Sequence, residues 1–164
     1  MRVDAGDIVA LAQTVMSESI YQITESDEYE MTPLRQMEWI DKLNAEPSSL
    51  LMVAVIERNI VGLLDFHGKE NRKKLAHVGS FGMSVSHEFR DQGIGVAMLH
   101  VLLDWARAHP TIEKVSLAVL ATNTRAIHVY RKLGFIEEGR RVREARLTDG
   151  RYVDDILMYV WVGK

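Results

Sequence analysis

Residues 89–96 read FRDQGIGV and set Arg90, Asp91, Gln92, Gly93, Ile94, Gly95 and Val96 at the start of a run with helical apolar spacing. The first backbone N–H groups of a helix have no partner within it, and aligned peptide dipoles add about half a positive charge there. Such an end suits a phosphate. Glycines at 93 and 95 remove two Cβ atoms, so the backbone can curl around an anion, and Arg90 adds a charged donor. The same two glycines also fit a plain tight turn between a strand and a helix. Two familiar phosphate loops are excluded by spacing. Met98 stands where a dinucleotide fingerprint needs a third glycine or alanine, and no Gly-Lys-Ser/Thr follows as in a Walker loop. Further on, Tyr130 offers a phenol with an ordinary pKa of about 10, suited to giving a proton to a leaving group. It equally fits a core position beside Ile127 and Leu133 at helical spacing. Asn123 offers an amide to a ligand, or an N-cap to a helix that starts at 124.

These residues sit in a chain of 164 residues, 47% hydrophobic and 26% charged, which is ordinary for one soluble globular domain spanning 1–164. With no cysteine, the chain has no disulfide, Cys-ligated metal or thiol nucleophile. The six histidines, His67, His77, His87, His100, His109 and His128, show no HExxH or other paired-ligand spacing, so no metal is expected. A net charge of −3 argues against a nucleic-acid surface. The cluster GRRVREAR, with Arg140, Arg141, Arg143 and Arg146, reads as the solvated face of a strand before it reads as a phosphate patch. No apolar run is long enough for a membrane span, and MRVDAGDIVALAQ lacks the pattern of a signal peptide. A cytoplasmic location is the expectation.

The elements that must hold the candidate residues follow from periodicity. Residues 4–18 carry Ile8, Leu11, Ala12 and Val15 on one helical face, and Thr32-Pro33 starts a second helix continued by Leu34, Met37, Ile40 and Leu43. The acidic segment ITESDEYEM between them reads as a loop. LLMVAVI (50–56) and IVGLLDF (60–66) form a hairpin around Glu57-Arg58-Asn59, and LAHVGSFGMSV (75–85) gives a third strand. Gly79 and Gly82 inside that strand point to a bulge or to the close approach of another group. A helix from Gly93 to His109 is stopped by Pro110. KVSLAVL (114–120) is a buried strand, and TRAIHVYRKLGF carries a helix ending at Gly134. Two last strands flank the turn Thr148-Asp149-Gly150. The order α-α-β-β-β-α-β-α-β-β predicts a mixed sheet covered by helices, an α/β fold with α+β character.

The run Arg90-Asp-Gln-Gly93-Ile-Gly95, which follows the strand GMSV and opens an apolar helix, resembles the R/Q-x-x-G-x-G/A signature of the GNAT N-acetyltransferase superfamily. Downstream, Asn123-Thr-Arg-Ala-Ile-His-Val-Tyr130-Arg-Lys-Leu-Gly-Phe135 resembles that superfamily's N-x-R-A-I-x-x-Y-x-x-x-G-F run, after the strand VSLAVLATN. The closing DGRYVDDILMYVW is similar to bacterial members grouped with ribosomal-protein-type and small-amine acetyltransferases. The resemblance covers nearly the whole chain. It implies the acyl-CoA N-acyltransferase fold and transfer of an acetyl group from acetyl-CoA straight to a primary amine, of a small molecule or of a protein or peptide N-terminus.

By the same resemblance, the backbone of Met83, Ser84 and Val85 pairs with the pantetheine arm, and the loop from Arg90 to Val96 takes the pyrophosphate. Asn123 hydrogen-bonds the pantetheine, and Tyr130 is the general acid. The sequence departs from the family at Ser80, aligned where related chains often carry a glutamate base; the expected substitutes are a relay through water from Ser80 to His77 or a carboxylate, or an amine that arrives neutral. A homodimer is a partner the family suggests. A non-catalytic CoA-binding regulatory domain is the rival reading; it would keep the glycines and lose Asn123 and Tyr130, and both are present. Asp154, Asp155 and the acidic loop are the residues that could draw in a cationic amine, or they are solvated surface.

Overall fold

A computed structural model describes residues 5–18, 21 and 28–163. The first helix, α1, runs Ala5–Glu18 and the second, α2, Pro33–Ala45. Of the segment expected to be a loop, residues 23–27 lie outside the described residues. Thr32 caps α2 by accepting the N–H of Arg35 at 3.3 Å, with Pro33 in the first turn where its missing N–H costs nothing.

Strands β1 (Leu50–Ile56) and β2 (Asn59–Gly68) pair antiparallel around a two-residue turn. Glu57 and Arg58 both take positive φ, 48° and 71°, as the twist-matched hairpin turn requires. Strand β3 (Val78–Val85) pairs antiparallel with β2, α3 spans Ile94–Ala108, β4 spans Lys114–Leu120 and α4 spans Thr124–Lys132. The chain closes with β5 (Ile136–Arg146) and β6 (Tyr152–Trp161). Element order matches the expectation, and the six strands form one mixed sheet in the order β1-β2-β3-β4-β6-β5. Only β3 and β4 run parallel.

Because side chains alternate along a strand, the sheet has two distinct faces. One carries Leu64, Phe66, Phe81, Val115, Leu117, Val119, Ile156 and Met158, packed on Met98, Leu99, Leu102 and Leu103 of α3 in the main core. Ile127, Tyr130 and Phe135 extend that core along α4. The other face presents Leu63, Asp65 and Ser84 toward α1 and α2, where Ile8, Leu11, Val15, Gln36 and Trp39 line a smaller cavity of about 210 Å³.

The two glycines of β3 differ from the expected bulge. Pairing of β3 with β2 is regular from Gly62–Val85 to Gly68–Gly79. What Gly79 provides is room: a Cβ there would lie 2.0 Å from the ring of Phe66, which is fully buried and packs edge-on against Trp105 at 5.2 Å. The register shifts fall elsewhere, at Ala54/Val55, Glu137/Gly139 and Arg141/Ala145. Two arginines of the β5 cluster are held in ion pairs, Arg140 with Glu137 and Asp154 and Arg141 with Glu144 and Asp155, and Arg146 lies over the Tyr152 ring, which fits a strand face. Among the described residues no helix is long and apolar enough to cross a membrane.

Gly79→Ala should lower the unfolding free energy by about 1–3 kcal/mol, the usual cost of forcing a methyl into a packed core. Denaturant titration measures it, and adding Phe66→Leu should recover part of the loss by emptying the contested space.

Candidate active site

The site begins where a sheet contact ends. Strands β3 and β4 pair over three positions only, Val78–Lys114, Gly79–Val115 and Ser80–Ser116. Both strands continue beyond them, β3 to Val85 and β4 to Leu120, without pairing to each other. Ser116 ties off the last rung, its hydroxyl donating to the Gly79 carbonyl at 2.9 Å. Beyond that rung a cavity of about 630 Å³ opens, walled by Phe81–Val85 on one side and Leu117–Leu120 on the other. Backbone amides facing such a gap lack a neighbouring strand, so an extended ligand carrying amides can be bound as an added strand would be.

At the mouth stands the loop that the sequence singled out. Arg90 donates from Nε to the Val85 carbonyl at 3.0 Å, pinning the loop to the end of β3. Asp91, at φ 61°, pairs with Arg125 at 2.9 Å and so joins the loop to α4. Gly93 caps α3 at φ 81°, and no side chain fills the capping role. The first amides of α3 are thereby left for an outside acceptor, with dipole charge behind them. A Cβ at Gly93 would meet nothing within 4 Å, so the space in front of it is open. Gly95 lies against the Met83 side chain, whose Cε would be 3.3 Å from an added Cβ; this lets the helix start sit close to β3.

Tyr130 and Asn123 border the same cavity. Tyr130 is 8% exposed, clamped edge-on against Phe81 at 6.0 Å and beside Phe135 at 5.8 Å. Its core placement and its place in the cavity wall hold together. Among the described residues its hydroxyl takes no protein hydrogen bond, and burial pushes its pKa up to about 12. The phenol therefore keeps its proton throughout the neutral range. Asn123 does cap α4, with Oδ1 accepting from the Ala126 N–H at 3.2 Å. Its Nδ2 has no such duty among the described residues.

A cleft between splayed strands, an uncapped glycine-rich helix start and a buried proton-bearing phenol are now on one wall. The model of the Acetyltransferase (GNAT) family matches residues 16–135. The chain belongs to the GNAT acetyltransferase family. It is 30% identical over 120 residues to the L-amino acid N-acetyltransferase AaaT of Escherichia coli, covering 73% of each chain. A GNAT-family acetyltransferase structure from Streptococcus pneumoniae superposes with a TM-score of 0.91 at 25% identity, over 96% of this chain and 94% of that one. The fold is shared as well by the acetyltransferase yncA of Salmonella typhimurium, solved with its cofactor acetyl-CoA, at a TM-score of 0.85 and 14% identity over 98% and 90% of the two chains.

Within this GNAT frame, Met83, Ser84, Val85, Arg90, Asp91, Gly93, Ile94, Gly95, Val96, Asn123 and Tyr130 all border one cavity, as the sequence grouped them. Gln92 belongs to the loop but turns its side chain back to donate to the Glu88 carbonyl at 2.9 Å. Ser80 sits on the last paired rung, one residue short of the cavity wall. His77 precedes β3 at the closed end, against Trp161 at 6.2 Å, and its carbonyl accepts the N–H groups of Glu113 and Lys114.

Sequence reading missed two residues that line this cavity and a third, Asp65, that lines the smaller cavity beside it. Arg125 and Val15 line the cavity from α4 and α1. Asp65 lies on the α1/α2 face of β2, its Oδ2 2.9 Å from His67 Nε2, and burial raises its pKa against the opposing pull of His67. Alternation in LLDFH would have put Asp65 and His67 on one face, two residues apart; no pattern in the sequence says which element that face meets. Among the described residues no group of three or more His, Asp or Glu is arranged to hold a metal.

Ultraviolet titration should show one of the five tyrosines ionising at about 12, and Tyr130→Phe should remove that component. Linkage gives a matching stability change. The neutral phenol's contribution is complete below the ordinary value of 10.0 and is lost as pH rises to about 12, because the unfolded chain releases this proton first.

Proposed function

We propose that this chain transfers the acetyl group of acetyl-CoA directly to a primary amine of a small molecule, using the cleft between β3 and β4 as the donor site. The observation that carries the reading is the loss of β3–β4 pairing after Ser80 and Ser116, directly beside the uncapped start of α3. The residues present fit the donor's chemistry. Met83, Ser84 and Val85 line the gap, and the β3 edge there suits the amides of the pantetheine arm. Amides at the start of α3, with Arg90 and Arg125 nearby, suit the pyrophosphate. When bound, acetyl-CoA supplies the acetyl group as an activated thioester.

The chain's own residues do the rest. The cleft holds donor and amine side by side, and this alone is worth up to about 7–11 kcal/mol in favourable cases. Tyr130 holds a proton at Oη and presents it to the cavity, in a buried setting that keeps it protonated. Asn123 Nδ2 adds a donor at the open end of β4. Ser80 offers no carboxylate, and relay through Ser80 and His77 would have to reach the cavity from outside its wall. The relative AaaT, whose name states an L-amino acid substrate, supports a small-molecule acceptor over a protein one.

Incubating the protein with acetyl-CoA and a panel of polyamines, amino acids, aminoglycosides and peptide N-termini should release free thiol in step with one class of amine. Tight CoA binding with no thiol release above hydrolysis would instead favour the non-catalytic reading. Tyr130→Phe should lower kcat by about 10²–10⁴-fold, the usual worth of a positioned acid, while the CoA dissociation constant stays within about twofold. Gly93→Val should do the opposite. A Cβ at left-handed φ costs about 1–2 kcal/mol, and relaxing that strain opens the cradle, so CoA affinity measured by calorimetry should fall about tenfold.

A further inference from the structure

The closing strand carries two adjacent aspartates, and the structure sends them to opposite faces of the sheet. Asp154 is fully occupied by β5: its Oδ1 accepts the Arg143 N–H at 2.8 Å and its Oδ2 meets Arg140 Nη1 at 3.3 Å. It secures the register shift in which Arg143 takes φ 56°.

Asp155 is different. It stands opposite Leu120 in the register, on the edge of β4 away from the gap, and lines the same cavity as Tyr130 and the splayed strands. It is 1% exposed. Its Oδ2 accepts from Arg141 Nη1 at 3.2 Å, and Arg141 is itself shared with Glu144 at 3.7 Å. Its Oδ1 is buried and has no hydrogen-bond partner among the described residues. Folded proteins rarely leave a carboxylate oxygen in that condition, because it has lost water and gained nothing. A carboxylate accepts hydrogen bonds and does not donate them, so what completes Asp155 must be a donor, best a cationic one.

Parity along the strands places Asp155 with Ser116, Ala118 and Leu120, on the face opposite the α3 packing. The anion cradle is built on α3 and this carboxylate lies beyond the other face of the cleft. The cavity thus meets the start of α3 on one face and a buried carboxylate on the other. We propose that Asp155, oriented by Arg141, receives the ammonium group of the amine acceptor. The assignment rests on the acetyl-transfer reading and adds to it the residue that binds a protonated aliphatic amine, which releases one proton to water before the free amine attacks the thioester and the thiol leaves.

The test is steady-state kinetics at saturating acetyl-CoA with the amines that the wild-type protein acetylates. Asp155→Asn should raise the amine KM by about 10- to 100-fold, as expected for a charge-assisted hydrogen bond, with CoA affinity by calorimetry unchanged. Asp154→Asn, which faces away from the cavity, should keep the wild-type KM. A wild-type amine KM in Asp155→Asn overturns the assignment. Failure of the wild-type protein to release thiol with any amine sinks the acetyl-transfer reading itself, a separate outcome. Should Asp155→Asn not fold, the wild-type protein saturated with CoA is melted with 1,4-diaminobutane or with 1,4-butanediol. Stabilisation by the diamine alone supports the assignment; equal shifts, or none with the diamine, overturn it.

Discussion

The structure depends on two parallel strands that agree for three residues and then part. Parallel strands normally pair along their length, since every unpaired backbone amide that is also shut off from water costs about 1–3 kcal/mol. Here Ser116 closes the last rung, and beyond it an aromatic group occupies the space between elements. Phe81 of β3, Tyr130 of α4 and Phe135 ahead of β5 meet pairwise at 5.8–6.0 Å. Three rings of this size on the α3/α4 side fix how closely β3 can approach α4, and α4 follows directly from β4. The gap is therefore a product of core packing, and the cavity keeps the strand edges along it in reach of solvent or ligand.

That constraint places the charges too. The loop after β3 must turn at once into α3, since Gly95 lets the helix start lie against Met83. Its uncapped amides, Arg90 and Arg125 then gather positive potential at one end of the gap. On the other face, Asp155 of β6 lines the cleft and Asp65 of β2 lines the smaller cavity beside it, each raised in pKa first of all by burial and each steadied by one basic partner, Arg141 or His67. In a setting of low dielectric such groups act over short range and with more strength than on the surface. The polarity of the cleft is thus set by which strands stop pairing, before any ligand is considered.

Much of this was legible in the sequence, and what was not has physical reasons. Helix starts at Thr32-Pro33 and Gly93, the stop at Pro110 and the hairpin at Thr148-Asp149-Gly150 are local effects of φ, caps and missing donors, so the residues alone declare them. The residues of the loop before α3 also fall together along one cavity, because glycine spacing before a helix is local chemistry. The splay was invisible: FGMSV and LAVL carry the same apolar alternation whether they pair or diverge. Gly79 fitted a bulge or a close approach equally well, because the group it makes room for, the ring of Phe66, lies on the neighbouring strand thirteen residues earlier. Asp154 and Asp155 read as one acidic pair, since both faces of β6 are covered and alternation cannot say which aspartate meets a cavity. The register shift between Arg141 and Ala145, invisible in GRRVREAR, decides which arginine reaches which carboxylate.

The absence of a carboxylate at Ser80 follows the same logic. Ser80 stands on the last paired rung, with His67 opposite it on β2 and Ser116 on β4. A glutamate there would project toward the α1/α2 face, where Asp65 already carries a proton affinity raised by burial. Two carboxylates so close would repel, and one would be driven to stay protonated. With Ser80 the rung stays neutral, and the negative charge of that face is held by residues with basic partners, one strand removed from the gap on either side. A phenol that keeps its proton is thus buried on the α4 side, and the carboxylates Asp65 and Asp155 lie on the opposite face.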